Sequence, residues 1–164
     1  MKAQHNIIPI YNKESKVLIL GSFPSVKSRE ASFYYYHPQN RFWKIFESLF
    51  DVKLTTIEEK KNFLLSYHIA LWDVIESCDI KGSSDASIQN IKVNAINQLI
   101  EESSIEYIIT NGKKAHELYQ KYCFKNTKIN DIVLPSTSPA NAAYSLDKLI
   151  VEYQVIYQCL SIHI

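Results

Sequence analysis

Four short apolar runs, each breaking into a polar or turn-forming stretch, restrict this chain to a small set of folds. The clearest is Val17-Leu18-Ile19-Leu20, which runs straight into Gly21-Ser22-Phe23-Pro24. Its length, its β-branched content and its lack of alternation predict a strand buried on both faces, as in a parallel sheet. Residues 69–75 (IALWDVI), 107–110 (YIIT) and 132–134 (IVL) repeat the pattern. Between these runs lie stretches of helical character: 41–50, with Phe42, Ile45, Phe46 and Leu49 on one face; 56–67, opening on a Thr cap and an acidic first turn; 93–102; 113–122; and 146–160. Residues 79–90, DIKGSSDASIQN, are polar and turn-rich and predict a surface loop. Strands alternating with helices predict a single three-layer α/β/α domain over 1–164, with a central, mostly parallel four-stranded sheet. A chain of 164 residues buries enough surface to need no staple.

Several function classes fall away. Lys plus Arg number 18 against 17 for Asp plus Glu, so there is no strongly basic coat, though a local basic groove is still open. Cys78, Cys123 and Cys159 are far apart with no CxxC pair, which supports neither a disulfide framework nor a four-Cys zinc or iron–sulfur site. His5, His37, His68, His116 and His163 show no metal-ligand spacing, so no metal and no organic cofactor is expected. The first sixteen residues hold no apolar core of about 7–15 residues such as a secretory signal has, and no run of ~18 apolar residues occurs. A cytoplasmic location and no membrane contact are therefore expected. Gly21-Ser22-Phe23-Pro24 lacks the GK[ST] of a phosphate loop, and no GxSxG elbow exists.

In a parallel sheet the binding crevice lies beyond the carboxyl ends of the strands. Three loops should open there: GSFPS, TNGK and LPSTSPAN. The segment FYYYHPQNRFW, residues 33–43, sets aromatic faces beside His37 and Asn40 just ahead of a helix. It reads either as a loop packed on the core, with Asn40 capping the helix, or as a pocket wall that stacks a planar ligand and positions one polar atom. Pro135 to Asn141 reads either as a stiff loop with hydroxyl-capped turns or as a groove-facing edge offering hydroxyls and N–H groups to phosphates. Asp73, after the second strand, is open between a turn cap and a site residue.

The pieces LILGSFPS, YYYHPQNRFWKIF, IALWDVIESC, the GSSDASI loop, IITNGKKA and LPSTSPAN, in order from about residue 17 to 145, resemble the uracil-DNA glycosylase superfamily. Within it they are most similar to the hypoxanthine-DNA (deoxyinosine) glycosylases. Mismatch-specific uracil/thymine glycosylases share the HPxNRFWK block and a similar final loop. The superfamily's usual first motif supplies a catalytic Asp or Asn at the position held here by Phe23, and that departure looks like the hypoxanthine branch. The resemblance then implies that Asn40 is the catalytic residue, with Ser22, Phe23, Tyr35 and Asp73 around the base. It implies Ser136, Ser138, Pro139, Ala140, Asn141 and Lys113 as DNA contacts, the 138–141 segment resembling a wedge pushed into the minor groove. Lys27, Arg29 and Lys114 could add local positive charge. The expected protein is a monomeric, monofunctional glycosylase acting on DNA that contains a deaminated base, hypoxanthine first and uracil or xanthine next. The alternatives are a mismatch-specific uracil/thymine glycosylase, an inactive DNA-binding module on the same scaffold, and a nucleoside hydrolase acting on free inosine.

Overall fold

The computed structural model of the chain describes residues 2–4 and 7–162; His5 and His163 lie outside them. At its centre β2 (Val17–Gly21), β3 (Ile69–Asp73), β6 (Tyr107–Asn111) and β7 (Asp131–Leu134) form a sheet in the order β3-β2-β6-β7. Every pairing is parallel, and Val17 stands opposite both Ile69 and Tyr107. All five residues of β2 are buried, because the strand has a neighbour on each side and a layer on each face. That is why its sequence runs apolar without alternation.

The two faces sort by residue parity. Val17, Ile19, Ile69, Leu71 and Ile109 pack under α2 (Phe42–Phe50), α3 (Ile57–Ser66), α7 (Leu146–Tyr153) and α8 (Val155–Cys159). Leu18, Leu20, Ala70 and Ile108 face α4 (Ile96–Glu101), α5 (Lys113–Tyr122) and a second sheet. The α2 stripe is buried at Phe42, Trp43, Ile45 and Phe46, and the helix stops where Asp51 takes a left-handed φ of 51°. A capping box starts α3: Thr56 accepts from the Glu59 N–H, and the Glu59 carboxylate accepts from the Thr56 N–H.

The structure departs from the sequence expectations in the middle of the chain. β4 (Ile75–Asp79) follows β3 almost at once and pairs antiparallel with β1 (Lys2–Gln4) and β5 (Gln89–Val93), giving a three-stranded sheet in the order β1-β4-β5. The expected loop 79–90 is therefore shorter: Asp79 ends β4, residues 85–87 form a 3-10 turn, and Gln89 and Asn90 open β5. The helix expected from 93 starts at Ile96. The helix expected over 146–160 is two, divided at Gln154. Two short helices, α1 (Val26–Ala31) and α6 (Phe124–Thr127), went unread. Among the described residues no helix is long and apolar enough to cross a membrane.

Candidate active site

Because the four central strands are parallel, their carboxyl ends share one edge, and a cavity of about 100 Å³ opens there. It is lined from β2 and its loop by Ser22 and Phe23, from the 33–43 segment by Tyr35 and Asn40, from β3 by Asp73, and from the last loop by Ser136 and Ser138. Residues separated by more than a hundred positions thus meet as the sequence suggested.

Arg41 holds the N-cap position of α2 itself, and Asn40 both lines the cavity and meets the start of that helix. Its Oδ1 accepts from the Phe42 N–H (2.9 Å), at the start of α2, and from the Thr137 hydroxyl (2.8 Å). A main-chain N–H only donates, so this atom is the amide oxygen, and Nδ2 is left without a partner among the described residues. Thr137, fully buried, is itself fixed by Asn111: its N–H donates to Asn111 Oδ1 (3.0 Å) and its hydroxyl accepts from Asn111 Nδ2 (3.0 Å). Asn111 ends β6, so the chain Asn111–Thr137–Asn40 anchors the half-buried amide to the central sheet.

The opposite wall is built differently. Asp73, at the end of β3 and 3% exposed, has its Oδ2 buried with no hydrogen-bond partner among the described residues. Burial first, then the charge of Asp85, push its carboxyl up to about 7 from the ordinary 3.8. The carboxyl lies against Gly21, where a Cβ would stand 2.5 Å from Asp73 Oδ1 and 3.2 Å from the Tyr35 hydroxyl. Only glycine leaves that space. Tyr35 holds a left-handed φ of 52°, uncommon for a bulky residue, and stacks on Phe42 with ring centroids 4.1 Å apart. Its hydroxyl makes no hydrogen bond among the described residues, and burial, then the Asp73 charge, raise its pKa, with the Asn111 side chain acting in the opposite direction. Ser22 donates to Asp85 Oδ1 (2.8 Å), which brings a second carboxyl, on an otherwise exposed residue, to the rim, where desolvation raises its pKa.

Phe23 is 8% exposed, and the Arg29 guanidinium lies over its ring at 5.2 Å. Arg29 also donates to the Gly82 carbonyl (2.7 Å), so it props the Phe23 loop instead of standing out as free positive charge. The last loop is a run of small turns: Ser136 Oγ accepts from the Ser138 N–H (3.1 Å), Ser138 Oγ from the Ala140 N–H (3.2 Å), and Asn141 Nδ2 donates to the Ser136 carbonyl (3.0 Å). Pro139 and Ala140 are exposed beside the cavity and Asn141 is half-buried. Lys113, the exposed first residue of α5, lies outside the cavity lining, and Lys27 is an exposed partner of Glu30. Sequence reasoning missed three participants. Asn111 had a signal, its place at a strand end in the TNGK loop; Asp85 lay in a segment read as surface; Thr137 had none beyond being a hydroxyl in the final loop.

A profile of the uracil DNA glycosylase superfamily matches residues 8–157. A hypoxanthine DNA glycosylase of Methanosarcina acetivorans is 32% identical over 142 residues, covering 85% of this chain and 89% of that protein. A hypoxanthine DNA glycosylase of Methanosarcina barkeri is 30% identical over 112 residues, covering 66% of this chain and 71% of that protein. The solution structure of a candidate uracil DNA glycosylase from Methanosarcina acetivorans has the same fold, with a TM-score of 0.83 and 29% identity over 98% of this chain and 99% of that one.

Proposed function

The chain belongs to the uracil DNA glycosylase superfamily, and from that premise we propose that it is a monofunctional DNA glycosylase of base-excision repair that releases hypoxanthine from DNA. The observation that carries the substrate class is Asp73: a buried carboxyl with an unpartnered oxygen in the lining of a small cavity is a polar group awaiting a ligand. Hypoxanthine carries a hydrogen on N1 where adenine has a lone pair, and uracil carries one on N3 where cytosine has a lone pair. A carboxylate accepts from the deaminated base and is left facing a lone pair by its parent, at a cost of about 1–3 kcal/mol.

A base must leave the duplex stack to reach this cavity, which costs a few kcal/mol and is easiest for a mispaired or deaminated base. Contact with an aromatic ring offsets about 1–3 kcal/mol of that. Arg29 lies over Phe23, and Phe42 covers one face of Tyr35, so these rings reach the base through the surface they keep on the cavity. Small residues of the 138–141 segment, held in turns, suit the gap left in the stack, with Ser136, Ser138 and Lys113 at the sugar–phosphate edge.

The C1′–N9 bond then breaks with its electron pair leaving on the purine, and the sugar becomes oxocarbenium-like. Water attacks C1′ and loses a proton to solvent, the departing purine anion takes one up from solvent, and the products are an abasic site and free hypoxanthine. Asn40 serves this step without being a base. With Oδ1 held by two donors, it presents Nδ2, which donates to the water oxygen and leaves a lone pair for C1′.

The test is base release from matched oligonucleotides containing one hypoxanthine, uracil, xanthine or thymine mispair, with alkali revealing abasic sites. Release of hypoxanthine that collapses in Asn40→Ala supports the reading. Release of uracil alone moves the enzyme to another branch of the superfamily, and binding without release makes it a DNA-binding module.

A further inference from the structure

Arg41, next to Asn40, is half-buried and has no carboxylate partner among the described residues. Its guanidinium donates to main-chain carbonyls of one loop only: Nε to Thr137 (3.2 Å), Nη2 to Ser138 (2.8 Å) and Asn141 (3.1 Å), and Nη1 to Tyr144. Its main-chain N–H adds another bond to the Thr137 carbonyl (3.1 Å). A guanidinium holds five N–H groups in a rigid planar fork, so carbonyls that converge on it are fixed relative to one another as well as to the cation. Exposed backbone of this kind, without a strand or helix to order it, is otherwise free to sample many shapes.

We infer that Arg41 is a positioning residue that holds residues 137–144 in the shape they present to DNA and locks that loop to the catalytic amide. The inference rests on the glycosylase reading of the same cavity. Thr137 is the joint: its carbonyl is taken by Arg41 and its hydroxyl by Asn40, so the loop that enters the groove and the group that orients water cannot shift independently. A loop preorganised in this way lowers the ordering cost of engaging DNA, and a misplaced catalytic amide slows the chemical step. Lysine cannot substitute, because an ammonium is a point charge that cannot span carbonyls spread over eight residues.

The experiment pairs two readouts on the wild type, Arg41→Lys and Arg41→Ala. Backbone amide hydrogen exchange reads the loop directly, whatever the substrate. Single-turnover release of hypoxanthine from duplex DNA reads its consequence. In both variants, exchange within 137–144 should rise about tenfold or more while β2 and β6 keep their protection. Base release should fall about 10- to 100-fold, the lysine variant tracking the alanine variant with a melting temperature near that of wild type. Wild-type exchange in the loop of Arg41→Ala, or full activity in Arg41→Lys, would overturn the inference. Failure of the wild type to release any base, with loop exchange still raised in the variants, would instead sink the glycosylase reading and leave the clamp standing.

Discussion

Asn40 and Asp73 line the same cavity, but the Asn40 oxygen is met by two donors while Asp73 Oδ2 is buried and met by none among the described residues. Thr137, Asn111 and the start of α2 have fixed the amide before any ligand arrives, which is what an orienting group needs. The carboxyl sits in a space kept by Gly21, with Asp85 adding like charge. An unsatisfied buried group costs free energy in the empty protein and recovers it when a ligand supplies the missing partner. On the proposed function, the satisfied group is the one that positions and the unsatisfied group the one that recognises.

The largest test of this contrast is a stability measurement. Because its folded-state pKa is about 7 against an ordinary 3.8, Asp73 binds its proton more tightly in the native state than in the unfolded chain. Its contribution is fully present below about pH 4 and is lost as pH rises through 7, so the protein weakens across that window and levels off above it. The displacement corresponds to roughly 4 kcal/mol. Asp73→Asn removes the ionisation, so in urea unfolding the variant should exceed wild type by a few kcal/mol at pH 8 and match it near pH 4, while hypoxanthine release falls at least tenfold. Parallel pH profiles for the two proteins would mean that Asp73 ionises at little cost and that the two walls do not differ as described.

Asn40→Asp tests the other wall. An aspartate keeps an oxygen for the Phe42 N–H and the Thr137 hydroxyl, so the start of α2 should hold and the melting temperature should stay near that of wild type. What changes is the free atom, from a donor to an acceptor. Single-turnover release should fall about 100-fold, the scale of removing one positioned donor from an active site. A variant as fast as wild type would show that water needs a base there and that the saturated oxygen is incidental.

Much of this contrast could be read in the sequence, and what could not has a physical reason. Strands buried on both faces announce themselves as apolar runs, so β2, β3 and β6 and the edge they share were legible. β7 was legible as an apolar run too, although it is an edge strand of the sheet and Val133 is exposed. Asn40 was legible as a residue at the helix start or on a pocket wall, and it stands at both places: its amide oxygen meets the Phe42 N–H and its side chain lines the cavity. The β4–β5 pair was not, because Gln89, Asn90 and Lys92 are exposed on an edge strand and leave no apolar period to detect. Asp85 is exposed as a surface loop predicts, but with β5 unread nothing signalled that the turn before that strand carries its carboxyl to Ser22. The break at Gln154 was hidden because the apolar stripe of α7 runs on into α8 with no Gly or Pro between them. Thr137 is the instructive miss: its partners lie 26 and 97 residues away, and no local pattern encodes a contact of that range.

Thr137 also gives the smallest and most discriminating test. Valine is nearly isosteric with threonine, so Thr137→Val should leave the packing of this buried site intact while removing one hydroxyl. Asn111 Nδ2 then loses its acceptor and Asn40 Oδ1 keeps only the Phe42 N–H, a loss of about 1–2 kcal/mol in stability. The amide gains a rotation it did not have, and base release should slow roughly five- to tenfold with DNA affinity little changed, since no group that faces DNA has been altered. Thr137→Ser should restore most of the rate. If the valine variant released base at the wild-type rate, the Phe42 N–H alone would be setting Asn40, and the sheet-anchored chain through Asn111 would serve folding, not catalysis.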